Sequence, residues 1–217
     1  MPSTPKPTKK EVVTAFRTRE ILAAARRLMQ GRGVESVTME EIAAAAGVAK
    51  GTVYLYFQGK DELIQALITQ VGENLLQDVA SIVKASGSPP EKIHRVATLL
   101  LDYLMKERAL YPTYARDSLR AGQGPTRGYW RQLQEREEKF FNLVTPVFAQ
   151  GIAAGQFITA NPRLLTFMLR GLVRSVGYYQ MTAGQEEAVK EAFPVLLTLL
   201  SSGLTPKSTM TAKVTPL

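Results

Sequence analysis

A chain of 217 residues with 45% hydrophobic content can bury a substantial core, which excludes wholesale disorder. It has no cysteine, which excludes disulfides and thiolate metal sites, and only one histidine, His94, which excludes a multi-histidine metal centre. The net charge is +8, and residues 1–60 hold ten Lys/Arg against five Asp/Glu, so over half of the excess lies in little more than a quarter of the chain. A basic end suits a polyanion such as DNA, although ordinary solubilising charge has the same composition. No apolar run approaches the roughly 20 residues of a membrane span. The opening MPSTPKPTKK lacks the apolar centre of a signal peptide, so the expected location is cytoplasmic, with no membrane partner.

Taken in chain order, residues 1–10 carry three prolines and three lysines and read as a flexible basic arm. A first helix runs to about Gln30, with Ile21, Leu22, Ala25, Leu28 and Met29 on one stripe, and Gly31 and Gly33 end it. Thr38-Met39-Glu40-Glu41 is a capping box that starts a second helix to about Ala46. Gly47 supplies a turn, and a third helix covers roughly Lys50 to Phe57. Gln58-Gly59 breaks it before a long fourth helix that starts near Asp61 and carries Leu63, Ile64, Leu67, Ile68, Val71 and Leu75.

Ser86-Gly87-Ser88-Pro89-Pro90 is a loop, followed by a fifth helix to about Lys106 and a sixth from Ala109 to Leu119. Residues 121–125 break the chain again. A seventh helix runs from Thr126 to Ala154, with a kink expected at Pro146. Asn161-Pro162 gives an N-cap and a first-turn proline for an eighth helix to about Thr182, and a ninth runs from Gln185 to Ser202. The expected fold is all-α with about nine helices. Its parts are the arm (1–10), a helix-turn-helix domain (11–60), a helical effector-binding and dimerisation domain (61–203) and a polar flexible tail (204–217).

The informative stretch is TMEEIAAAAGVAKGTVYLYFQGKDEL, residues 38–63. Two short helices around a glycine turn make a helix-turn-helix. Alanines 43–46 allow close packing, and Val48 and Val53 plug the junction. Lys50, Gly51, Thr52, Tyr54, Leu55 and Tyr56 are then left for the outer surface. A lysine there reaches phosphate or a guanine edge, and Gly51 permits close backbone approach. Tyr54 and Tyr56 can donate to phosphate, and Thr52 and Leu55 can touch thymine methyls. The plainer alternative is a pair of core helices with both tyrosines packed inside.

With these residues in this order, the sequence resembles the TetR family of bacterial regulators from about Arg17 to Ile68. The shared features are the Gly31/Gly33 break, the Thr38–Glu41 box with Ile42 and Ala43, Ala46-Gly47-Val48, Lys50-Gly51-Thr52, Tyr54, Tyr56-Phe57, and Lys60 leading to Leu63. The resemblance implies that Thr38 and the run from Lys50 to Tyr56 face DNA and that Lys60 contacts phosphate. Ala49 stands where a serine is common, and Leu55 where bulkier or polar residues also occur.

Beyond the fourth helix the resemblance fades. Val189, Phe193, Leu196 and Leu200 form one apolar stripe, and Leu164, Met168, Gly171, Ser175 and Tyr178 another. They suit either a dimer interface or an internal core. The family's usual four-helix dimer bundle implies the interface. Arg163, Phe167, Arg170 and Arg174 line a further stripe that is either solvated or placed to meet carboxylates of an effector or partner chain. Tyr103, Tyr111, Tyr114, Trp130, Phe141, Phe148 and Met168 are candidates to line an effector pocket, and each is also an ordinary core residue type.

No nucleophile–base pair, metal-spaced cluster or phosphate-cradling loop suggests an enzyme, and His94 reads as a surface residue. No cofactor or metal is expected. The metal-assisted tetracycline site of one branch of the family needs histidines that this chain lacks. The expected function is a homodimeric, ligand-responsive transcriptional regulator, most simply a repressor. It would bind palindromic double-stranded operator DNA and be released by a small apolar or amphipathic effector. The alternative is an architectural or constitutive DNA-binding protein without an effector.

Overall fold

The computed structural model describes residues 8–119, 127–183 and 187–205. Among them lie nine α-helices and no strand. These are α1 (Lys9–Arg32), α2 (Met39–Ala45), α3 (Lys50–Tyr56), α4 (Lys60–Lys84), α5 (Pro89–Lys106), α6 (Tyr111–Leu119), α7 (Arg127–Ala153), α8 (Pro162–Ala183) and α9 (Glu187–Leu204). No described helix is long and apolar enough to cross a membrane.

Two ends differ from the sequence reading. The arm expected over residues 1–10 gives way to helix earlier, because Thr8 and Glu11 form a capping box that starts α1 at Lys9. Residues 1–7 lie outside the described residues. At the other end α9 continues through Gly203 to Leu204, where the Leu204 carbonyl accepts from the Ile158 amide at 2.9 Å. The rest of the expected tail, residues 206–217, lies outside the described residues. Pro146 sits within one continuous α7, as Pro194 does within α9.

The chain divides into two compact units, one made of Met1–Glu73 with Lys106–Leu133, the other of Asn74–Met105 with Gln134–Leu217. The division does not fall at residue 61, where the sequence suggested a second domain begins. The reason is a shared core. Ile21, Leu22, Ala25 and Met29 of α1, Ile42 of α2 and Val53 of α3 pack in one buried cluster with Leu63, Ile64, Leu67 and Ile68 of α4. Leu110 and Leu133 complete it, with Tyr114 and Tyr129 packed against it.

The same unit buries a charge, Glu107, only 7% exposed. Arg26 meets it through two guanidinium nitrogens, Nε donating at 3.2 Å. Gln30 Nε2 donates to the Lys106 carbonyl at 3.0 Å. Together these bonds tie α1 to the turn between α5 and α6.

In the second unit α5 buries Ile93, Val96, Ala97, Leu100, Leu101 and Leu104, while α7 contributes Phe140, Val144, Val147 and Phe148. Leu165, Leu169, Val173 and Val176 come from α8. Thr145 and Thr166 pair their hydroxyls at 3.1 Å between α7 and α8. Phe157 stacks obliquely on Phe148, with centroids 5.5 Å apart, and lies so close to Gly151 that a Cβ there would overlap its ring.

Candidate nucleic-acid interface

The helix-turn-helix is built from its caps inward. The Thr38 Oγ1 accepts from the Glu41 amide at 3.2 Å, and Glu41 Oε2 accepts from the Thr38 amide at 2.8 Å. Arg32 Nη1 adds an ion pair to the other Glu41 oxygen at 2.8 Å. These contacts, with the Thr38 amide bond the largest, hold the Glu41 carboxyl below the usual carboxylate range. At the end of α2 the chain turns through Gly47, whose φ of 65° favours glycine, and the Val48 amide bonds back to the Ala43 carbonyl at 3.0 Å. Ala49 caps α3 without a side-chain hydrogen bond, the consequence of alanine where a serine would supply an acceptor.

Seven residues of α3 then divide cleanly. Val53 is fully buried in the first unit's core, and Phe57 just beyond the helix is buried beside it. Lys50, Gly51, Tyr54 and Leu55 point outward, Leu55 being 83% exposed. Thr52 is half-buried, as is Tyr56, which packs against the core cluster. Tyr54 is thus the more exposed of the two tyrosines. A Cβ at Gly51 would meet open space, so nothing inside the chain demands glycine there. Thr38 is exposed, and Lys60 donates from Nζ to the Glu35 carbonyl at 2.9 Å.

One participant escaped the sequence reading. Glu40 of α2 forms an ion pair with Lys50 of α3. The hydrogen bond from Lys50 holds the Glu40 carboxyl below its usual range, and the same bond raises the Lys50 ammonium. Lys50 also lies 5.9 Å from the centre of the Tyr54 ring. The pair bridges two helices across the turn, so helical periodicity gives no sign of it.

The comparisons with known proteins bear on this same segment. Residues 21–67 match the family described as bacterial regulatory proteins, tetR family. That segment of the chain is a TetR-type helix-turn-helix module. The HTH-type transcriptional regulator YhgD of Bacillus subtilis is 25% identical over 153 residues, covering 70% of this chain and 78% of that protein. The HTH-type transcriptional repressor KstR2 of Mycobacterium tuberculosis is 24% identical over 138 residues, 64% of this chain and 68% of that one. Among solved structures, FadR of Bacillus subtilis in complex with stearoyl-CoA shares the fold with a TM-score of 0.63. Its identity is 22%, and the match covers 85% of this chain and 98% of that one. The matched module and these relatives make the chain a helix-turn-helix transcriptional regulator.

The expected effector-pocket residues are divided between the units. Tyr111, Tyr114 and Trp130 belong to the first unit, where the Trp130 indole N–H donates to the Asp117 carbonyl at 3.0 Å and the two tyrosine rings lie 6.1 Å apart. Tyr103, Phe141, Phe148 and Met168 belong to the second. There the Tyr103 hydroxyl donates to Asp78 at 2.6 Å, Phe141 lies 6.4 Å from Phe167, Phe148 is fully buried and Met168 is exposed. A cavity of about 940 Å³ in the second unit is lined by other residues, among them Ile93, His94, Arg95, Phe157, Leu200 and Leu204.

The arginine stripe of α8 meets carboxylates of its own chain. Arg163 bonds both oxygens of Glu138 at 2.8 Å, and Glu137 receives Arg170 at 2.6 Å and Arg174 at 3.0 Å. On the neighbouring face Leu164, Phe167, Met168 and Tyr178 are exposed, with Gly171 and Ser175 between them. The α9 stripe divides between inside and outside. Leu196 and Leu200 are buried within the chain and Phe193 is half-buried, whereas Val195 and Leu199 are exposed. The Val189 side chain lies outside the described residues. Because α9 is apolar on both sides, its periodicity could not tell inside from outside.

Proposed function

We propose that the protein is a ligand-responsive repressor that binds a palindromic operator as a homodimer and is released by an apolar or amphipathic small molecule. The observation that carries the DNA-binding part is α3, anchored by a fully buried Val53 while Lys50, Gly51, Tyr54 and Leu55 stand exposed on its outer side. Thr38 and Lys60 flank it as phosphate contacts, and Thr52 and Tyr56 border it. The exposed apolar face of α8, with Val195 and Leu199 of α9, supports pairing of two copies. Small residues at Gly171 and Ser175 admit close approach of another helix.

An amphipathic effector is supported by the relatives. FadR of Bacillus subtilis was solved with stearoyl-CoA, which is amphipathic, and KstR2 is named a repressor. Tyr103, Phe141 and Met168 remain candidates to touch it. Since α4 contributes to both units, it is the element proposed to carry the response. The effector must favour the DNA-incompetent state, and a coupling of about 1–3 kcal/mol lowers operator affinity roughly 5- to 150-fold.

The test has two steps. Operator duplexes are selected by the protein from a random pool, and Lys50→Ala and Thr52→Ala are measured on a panel of single-base changes. Direct base contacts predict a loss of about 1–3 kcal/mol at particular positions, with relaxed specificity there. A small-molecule library is then screened by thermal shift. Hits that stabilise the protein and leave operator affinity untouched would favour a constitutive DNA-binding protein.

A further inference from the structure

The first half of α1 stands clear of the helix-turn-helix. From Lys9 to Glu20 every residue except Thr18 is exposed, and burial begins at Ile21, where the family match also begins. Twelve residues at 1.5 Å each make a rod about 18 Å long. So short a helix is marginal by propensity alone. It is started by the Thr8 capping box, in which Glu11 accepts from the Thr8 amide at 2.7 Å, and it continues into the packed half of the same helix.

The rod carries Lys9, Lys10, Arg17 and Arg19 against Glu11 and Glu20, and the Glu11 carboxylate is engaged in the cap. At the α-helical period the four cations fall within about half of the circumference, on and around the arc of Val12, Val13 and Phe16. Those three apolar side chains are all about half exposed. Among the described residues none of the four cations has an ion-pair partner, whereas Arg26 and Arg32 farther along the same helix do. The charge is therefore displayed, on an element joined without a break to the DNA-reading unit.

We infer that the first three turns of α1 are a second DNA contact. They would lay Lys9, Lys10, Arg17 and Arg19 on phosphates beside the half-site read by α3, with Val12, Val13 and Phe16 against deoxyribose. This rests on the DNA-binding reading above and adds a flanking footprint to it. A rod of about 18 Å matches roughly five base pairs of duplex, which present on the order of ten phosphates. Such a footprint adds affinity and salt dependence but no base readout.

The test uses the full-length protein on an operator selected by the wild type from a random pool. The duplex is prepared ending at the outer edges of the half-sites, and again extended by about ten base pairs, one helical turn, on each side. Wild type is compared with Lys9→Ala/Lys10→Ala/Arg17→Ala/Arg19→Ala and with the charge-keeping Lys9→Arg/Lys10→Arg/Arg17→Lys/Arg19→Lys. Wild type is expected to bind the extended duplex more tightly and with a steeper salt dependence. Each phosphate left without its cation lowers the slope by about 0.9, so four such phosphates per chain flatten it by about seven in a dimer. The alanine variant should lose the length dependence and the charge-keeping variant should retain it.

An alanine variant with the wild-type slope on the extended duplex overturns the rod and leaves the α3 reading standing. A wild type that selects no sequence overturns both.

Discussion

In the DNA-binding reading proposed above, the Lys50 ammonium has competing acceptors: Glu40 in the free chain, and a phosphate or guanine edge once DNA is bound. Glu40 also places a negative charge at the surface that must approach the duplex. Replacing it with glutamine removes both obstacles. Glu40→Gln is therefore expected to tighten binding to all DNA sequences and to steepen the salt slope by about one unit per chain, the converse of removing one phosphate-binding cation. Salt titrations followed by fluorescence anisotropy measure it, and weaker binding by this variant would mean that Glu40 orients Lys50 rather than competing for it. At this scale the sequence was legible where one residue type suffices: Val53 in, Leu55 out, Thr38 capping. It was not legible where the partner lies across a turn, as with Glu40 and Lys50, or where two tyrosines share a helix and only Tyr56 leans on the core.

Helix ends are set by a few short-range bonds, and that is why most of the helices could be placed from sequence to within about two residues. Capping chemistry and glycine breaks act within about four residues of the end they define. The same locality makes each end a point of weakness. Thr38→Ala removes the acceptor for the Glu41 amide and is expected to cost about 1 kcal/mol of stability, seen as a lower midpoint in urea denaturation. The Glu41 carboxyl is held below its ordinary range in the folded chain. Its contribution is therefore present above the ordinary carboxylate pKa and disappears as pH falls through the depressed value. Wild type and Glu41→Gln should accordingly converge in strongly acidic buffer, and a stability gap that widens there would contradict the cap.

What locality cannot show is packing between elements. Gly151 reads as an ordinary helical glycine, yet the Phe157 ring occupies the space of its missing Cβ. Gly151→Ala should destabilise the chain by about 1–3 kcal/mol through overpacking, measurable by thermal denaturation, with DNA binding untouched. Stability equal to wild type would mean that the α7–α8 connection yields freely. The inward turn of Leu196 and Leu200 on α9 was hidden for a related reason, since apolar residues cover both of its sides.

For the whole molecule, the compact units divide after Glu73 and not at residue 61, where the sequence suggested a boundary. Residues 106–133 join the helix-turn-helix unit through Leu110, Leu133, Tyr114 and Tyr129, and through Glu107, which receives Arg26. Such pairings join segments far apart in the chain, 81 positions for Arg26 and Glu107, and leave no periodic trace in the sequence. A fragment ending at residue 73 would lack those apolar partners and leave Arg26 without Glu107. It is expected to melt well below the full chain, as followed by circular dichroism, and equal melting would show that the first 73 residues carry their own stability.

The central claim is that two copies of this chain read two half-sites through α3. Hydroxyl-radical footprinting of the wild-type protein on its selected operator, with the stoichiometry read from sedimentation of the complex, tests it most directly. Two protected clusters related by a two-fold axis are predicted, their centres about one helical turn apart or a multiple of it, at two chains or more per duplex. A single protected cluster with one chain per duplex, or protection independent of sequence, would contradict it.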